Sequence, residues 1–196
     1  GHNLKHSLTV EGDCGHYAGA RLAGGSLIIK GNVLDYSGCN MRAGSIEICG
    51  NTGDYLGSAL PSEKKGMSGG SVLVHGNTGD FTGDLMRRGI IMVVGNIGDY
   101  CASRMIAGTI TTMGSVGKQV GRGMRRGTLL FPHKPADISG FTDCGRHSLG
   151  YLTLLLHEIR RFESNFQSLH PMRRRVQRYQ GDLSINGQGE MLIWIG

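Results

Sequence analysis

Residues 76–95, GNTGDFTGDLMRRGIIMVVG, open on a Gly-Asn pair, pass an aromatic and then a methionine, and close on an apolar run. Residues 95–114 (GNIGDYCASRMIAGTITTMG) and 31–50 (GNVLDYSGCNMRAGSIEICG) repeat those positions. The glycine that opens each apolar run falls at Gly25, Gly44, Gly70, Gly89, Gly108 and Gly127. Every step is 19 residues except Gly44 to Gly70, which is 26, so one turn of the repeat carries an insertion. A unit this short cannot bury an apolar face alone and must stack on copies of itself, which predicts a solenoid.

The columns say what kind. After each opening glycine the second and fourth residues are apolar, giving Leu27/Ile29, Ile46/Ile48, Val72/Val74, Ile91/Val93, Ile110/Thr112 and Leu129/Phe131, with Leu8/Val10 as an earlier copy. Alternation at period two with many β-branched residues is a strand with one face inside the coil. A second column, Leu22, Met41, Met67, Met86, Met105 and Met124, lies three residues before each glycine. Methionine is unbranched and adaptable, suited to filling a corner. An aromatic column, Tyr17, Tyr36, Tyr55, Phe81 and Tyr100, marks another bend, and core packing is expected for both stripes. Gly-Asn pairs after each strand put a residue tolerant of positive φ at a sharp corner, beside amides that can hydrogen-bond along the axis. The expected fold is all-β: a single-stranded parallel β-helix of about seven 19-residue coils, followed by a C-terminal α-helix and a terminal strand. The expected domains are 1–134 for the repeat and 135–196 for an extension packed on it. Nonapeptide calcium repeats and hexapeptide helices with 18 residues per coil both miss the period.

Composition bounds the function. The chain has 196 residues, 34 of them glycine, and a net charge of +6. No apolar run is long enough to span a bilayer, so no membrane partner is expected. The first residue is Gly1, with no leader pattern after it, and the expectation is a soluble chain whose natural N-terminus is missing or processed. Cys14, Cys39, Cys49, Cys101 and Cys144 are odd in number and form no CxxC pair, which points to reduced thiols in a cytoplasm. His2 and His6 are four apart without a carboxylate pattern, and His75, His133, His147, His157 and His170 are scattered, so no metal site is expected. Basic charge raises nucleic acid as a partner, but the fold modules and interleaved aromatics of such binders are absent.

Charge gathers in columns instead. Arg42, Arg87 and Arg125 follow the methionine, and Arg88 and Arg126 take the next position. Coils stack about 4.8 Å apart, so the pairs Arg87/Arg88 and Arg125/Arg126, two coils apart, form a positive stripe about 10 Å long. With Arg104 these are the candidate residues for binding a partner or an acidic ligand; a solvated face is the alternative. No catalytic residue is expected: the aspartates Asp35, Asp54, Asp80 and Asp99 recur once per coil at one corner, as turn-stabilising residues do. The insertion near residues 58–65, SALPSEKK, reads as a surface loop, either a binding excursion or a tolerated one. Residues 135–150 read as an irregular connection. A helix is expected over about 148–165, with Tyr151, Leu154, Leu155, Ile159 and Phe162 as the stripe that packs on the barrel or its open end and Glu158, Arg160, Arg161 and Glu163 around them. Residues 172–179, MRRRVQRY, are strongly basic, and residues 191–195 form the terminal strand.

The columns GNxGDYxGxxMxxGxIxVxG, the runs ASRMIAGTI (102–110) and MRRGTLL (124–130), and the tail RYQGDLSINGQGEML (178–192) together resemble the C-type subunit of formylmethanofuran dehydrogenase. The segments GSALPSEKKGMSGG (57–70) and RMIAGT are more similar to its bacterial branch, the formyltransferase/hydrolase complex of one-carbon metabolism. The repeat alone is also similar to the C-terminal β-helix of glutamate synthase, whereas Arg178, Tyr179, Gly181 and Asp182 point to the C-type subunit. The resemblance implies a non-catalytic structural subunit that binds no cofactor itself, partnered by the companion subunits of the complex. Those companions handle a methanofuran-type coenzyme with a glutamate-rich tail. Longer members of that family carry a further N-terminal segment. Two other readings stay open: a glutamate-synthase-like structural domain, or a solenoid enzyme whose groove acts on a polyanionic carbohydrate. A groove enzyme should show clustered, irregular carboxylates on an outward strand face, and Ser26, Ile28, Lys30, Ser45, Glu47, Cys49, Ser71, Leu73 and His75 show none. Their partly apolar character predicts a cover.

Overall fold

The computed structural model describes residues 6–162, 164–168 and 174–195. His2, Glu163, His170, Met172 and Arg173 lie outside the described residues. Seven strands, β1 (Ser7–Val10), β2 (Ala23–Ile29), β3 (Ala43–Ile48), β4 (Ser68–Val74), β5 (Arg88–Val93), β6 (Thr109–Thr112) and β7 (Thr128–Phe131), run parallel, each paired with the next. Their register is the sequence column itself: Leu8 faces Leu27, Leu27 faces Ile46, and the series continues through Val72, Ile91 and Ile110 to Leu129. On the opposite side single bridges join Cys14, Val33, Thr52, Thr78, Ile97 and Val116 in turn. The solenoid of about seven coils is therefore as expected.

The inward pairs and the methionine column form one continuous core. Among the described residues the core thins at the first coil, where Leu8 is 47% exposed. The asparagines bond as the Gly-Asn pairs predict: the Oδ1 of each accepts the backbone N–H of the next coil, at 2.9 Å from Asn51 to Asn32 and 2.8 Å from Asn77 to Asn51. The aromatic column corrects the sequence expectation. Tyr17, Tyr36, Tyr55, Phe81 and Tyr100 all have positive φ, and their rings are stacked outside the core at 4.7–5.2 Å between centroids. A left-handed corner turns the side chain outward, and the spacing of coils is close to that of stacked rings.

The C-terminal region also differs. The connection expected over 135–150 contains β8 (Thr142–Ser148), and the basic stretch at 172–179 runs into β9 (Arg175–Gly181). With β10 (Gly189–Trp194) these extend the same sheet in the order β7-β10-β9-β8, β10 parallel to β7 and the others antiparallel. Val176 and Tyr179 are an odd number of residues apart and so point to opposite faces, one into each of two apolar clusters. The helix α1 (Leu152–Ile159) is shorter than expected, and its buried stripe is Leu152, Leu156 and Ile159. Leu154 is 73% exposed. The inward face is thus rotated from the expected stripe; Tyr151 supplies no side-chain cap that could have fixed the start. The helix does provide the predicted cover: Leu73, Met92 and Leu130 on the outer sheet face are buried beneath Leu152, Leu156, Phe166 and Trp194. Among the described residues no helix is long and apolar enough to cross a membrane.

Candidate functional site

The residue after each methionine donates its N–H to the methionine carbonyl of the preceding coil. Arg87 donates to Met67, Ile106 to Met86 and Arg125 to Met105, each at 2.8 Å. Arg87, Ile106 and Arg125 are therefore successive rungs, and Arg88, Ala107 and Arg126 follow them one position on. The next rung comes from the tail, where Gln188 N–H donates to the Arg125 carbonyl at 2.7 Å. The result is an open cleft of about 720 Å³ between two pairs of arginines, floored by Ile106 and Ala107 and walled by residues 185–188. All four arginines are exposed, and none forms an ion pair among the described residues.

The wall is held by the tail motif. Asp182 caps a short 3-10 turn (Leu183–Ile185): its Oδ1 accepts from Ser184 N–H at 2.8 Å and its Oδ2 from Gly123 N–H at 2.9 Å. Burial pushes the Asp182 carboxyl up, but the Gly123 and Ser184 donors outweigh it and hold the group below its usual range. Gly187 permits the approach, since a Cβ there would stand 2.2 Å from the Met124 carbonyl oxygen. Arg178 donates to Glu190 at 3.1 Å, and the same carboxylate accepts from Thr128 at 2.9 Å and from the Tyr151 hydroxyl. Burial and that carboxylate raise the Tyr151 phenol above its usual range. The tail thus builds the cleft and ties α1 to β7. Residues 185–188 are the part of the site that the repeat columns do not disclose. The signal lies in Asp182 followed by Asn186-Gly187, with Asn186 left-handed at φ 54°.

Arg104 does not join this cleft. It precedes its methionine, so it emerges at the aromatic corner, where it grips the buried Asp84 through two hydrogen bonds of 3.0 and 2.6 Å. The Asp84 carboxylate raises its pKa. With Tyr36, Tyr55 and the insertion it lines a separate hollow of about 280 Å³. The insertion starts buried, at Ser58 and Ala59, and becomes exposed from Pro61 to Lys65. It folds back on the coils, Glu63 pairing with Arg21 at 3.1 Å and Asn40 donating to the Lys65 carbonyl at 2.8 Å.

The regular aspartates are committed to the backbone. Asp35, Asp54, Asp80 and Asp99 each accept the N–H of the next coil at 2.7–2.9 Å. Burial pushes the Cys101 thiol up to about 12 and Cys39 up to about 11, which leaves both poor nucleophiles. Among the described residues no group of three or more His, Cys, Asp or Glu stands together as metal ligands would.

The chain belongs to the GXGXG motif family, whose model matches residues 4–143. It is similar, at TM-score 0.90 and 36% identity, to a chain in the X-ray crystal structure of the formyltransferase/hydrolase complex FhcABCD from Methylorubrum extorquens in complex with methylofuran. The match covers 97% of this chain and 71% of that one. The resemblance carried by the repeat columns and the tail therefore holds, and the relative is one chain of a multi-subunit assembly. No curated protein sequence matches the chain.

Proposed function

We propose that this chain is the C-type subunit of a formyltransferase/hydrolase complex, a non-catalytic solenoid on which companion subunits assemble. The observation that carries the reading is the match to a chain of such a complex over 97% of this chain, tail included. The site chemistry agrees with it. The repeated carboxylates are spent on backbone amides, while the arginine cleft is a binding surface with no adjacent nucleophile or base. On this reading the companions handle a methanofuran-type coenzyme in the cytoplasm, this chain holds no cofactor of its own, and its arginine face meets a companion or the acidic coenzyme tail. The carbohydrate-groove reading is not favoured, because the outer sheet face of β4, β5 and β7 is covered by α1 and its neighbours.

Affinity purification of the native complex followed by mass spectrometry tests this. Formyltransferase-like and amidohydrolase-like subunits should come with the chain; recovery of neither overturns the reading. Formyl-transfer or hydrolase turnover by the isolated chain would overturn its non-catalytic part.

A further inference from the structure

Resting on that reading, we infer that the arginine cleft seats a polypeptide segment of a companion, one bearing two carboxylates about 10 Å apart with an apolar side chain between them. The geometry argues for each part. Arg87/Arg88 and Arg125/Arg126 stand two rungs apart, hence about 10 Å at the spacing of paired strands. The rung between them is Ile106/Ala107, which offers no charge. A single carboxylate or phosphate satisfies one arginine pair and leaves the other idle. A uniformly charged polyanion sets a carboxylate over Ile106, where it gains nothing. A segment with an apolar residue between two acids serves both pairs, each arginine pair taking one carboxylate, and sets no charge over Ile106.

The wall favours a polypeptide over a small anion. Ile185 on the cleft and Leu183 on the same turn are 46% and 52% exposed, an apolar margin beyond the arginines that a small polar anion leaves untouched. Arginine is enriched in protein interfaces, and an exposed aliphatic margin beside it gives a polypeptide side chain apolar surface to cover. In polyproline II geometry every third residue returns to the same face after about 9 Å, so glutamates three apart reach both pairs, while the residue after the first glutamate turns about 120° aside, toward the Ile185 margin of the wall.

The test uses the full chain and a blocked hexapeptide with glutamates at its second and fifth positions and leucine at its third. Anisotropy titration at low salt should show saturable binding, weakened at least about tenfold when the glutamates are made adjacent or the leucine becomes serine. The variant Arg87→Ser/Arg88→Ser/Arg125→Ser/Arg126→Ser should keep the wild-type circular dichroism and lose peptide binding. The same variant, co-expressed with the companions, should associate roughly ten to a thousand times more weakly at low ionic strength. Arg42→Ser, in the same column but outside the cleft, should change neither. No peptide binding, binding insensitive to glutamate spacing, equal binding of an all-glutamate peptide, or wild-type assembly of the quadruple variant would each overturn the inference. The complex-subunit reading fails separately, if the wild-type chain recovers no companions.

Discussion

Gln188 and Arg125, distant in sequence, are adjacent rungs of one ladder: the Gln188 N–H donates to the Arg125 carbonyl at 2.7 Å, much as Arg125 N–H donates to Met105 at 2.8 Å. The tail therefore continues the solenoid, and the turn before Gln188 becomes the wall of the arginine cleft. Backbone bonds from Leu183 to Gly140 and from Gly187 to Asp182 hold that turn, and one carboxylate ties it to the coil.

Asp182→Ala should for that reason destabilise the chain, because it strands the N–H groups of Gly123 and Ser184. Two hydrogen bonds to a charged acceptor are lost, each contributing roughly 1.5–3 kcal/mol, so a loss of about 3 kcal/mol or more is expected. Urea denaturation measures it. An unaltered midpoint would show that the pairing of β9 with β10 holds the turn without help.

Ile91→Asp tests the inward register. The side chain is fully buried in the continuous core, and no cation lies in its column, so the carboxylate is left without a partner. A loss of roughly 4 kcal/mol or more is expected, enough to unfold the chain or its neighbouring coils. A thermal midpoint equal to wild type would mean that residue 91 faces solvent.

The repeat is legible because each coil states its structure again: one residue such as Ile46 says little, but Ile46 over Leu27 and under Val72 states a register. The tail has no such redundancy. β9 is hidden in the sequence because each of its faces carries one buried apolar side chain among polar ones, Val176 turned to one cluster and Tyr179 to the other, so no apolar alternation marks it. The helix is visible but its inward face is not, since Leu152, Leu154, Leu155 and Leu156 offer several apolar stripes and only the packing on Leu73 and Met92 selects one. The arginine pairs stand out as columns. Arg104 does not belong with them, because a shift of two positions past a corner sends a side chain to another side of the coil.

Glycine positions separate strain from crowding. Gly145 has φ +85° and a Cβ there would meet nothing within 4 Å, whereas Gly83 has φ +72° and a Cβ there would meet Ile110 Cδ1 at 2.4 Å. Gly145→Ala should cost about 1 kcal/mol from backbone strain alone. Gly83→Ala should cost that and a further 1–3 kcal/mol or so from overpacking. Equal midpoint shifts in a thermal melt would show that Ile110 moves aside freely.

Acid should loosen the corner after the last coil through Asp137. Its Oδ1 accepts from the Ser139 hydroxyl at 2.6 Å and Ser139 N–H at 3.0 Å, and its Oδ2 from the Gln119 amide at 2.8 Å. These donors, those of Ser139 foremost, hold the carboxyl at about 2 against an ordinary 3.8. Folding thus favours the ionised form. The stabilisation is fully present above the unfolded value and is lost as pH falls from about 4 toward about 2, with Asp182 acting in the same direction. Asp137→Asn removes the titration and puts a donor where Oδ2 accepted from Gln119. The variant should therefore melt below wild type at pH 6, and the gap should close as pH is lowered through that window. Midpoints measured from pH 6 to pH 2 decide it: a gap that stays constant would show that the Asp137 carboxylate contributes through shape and not through its charge.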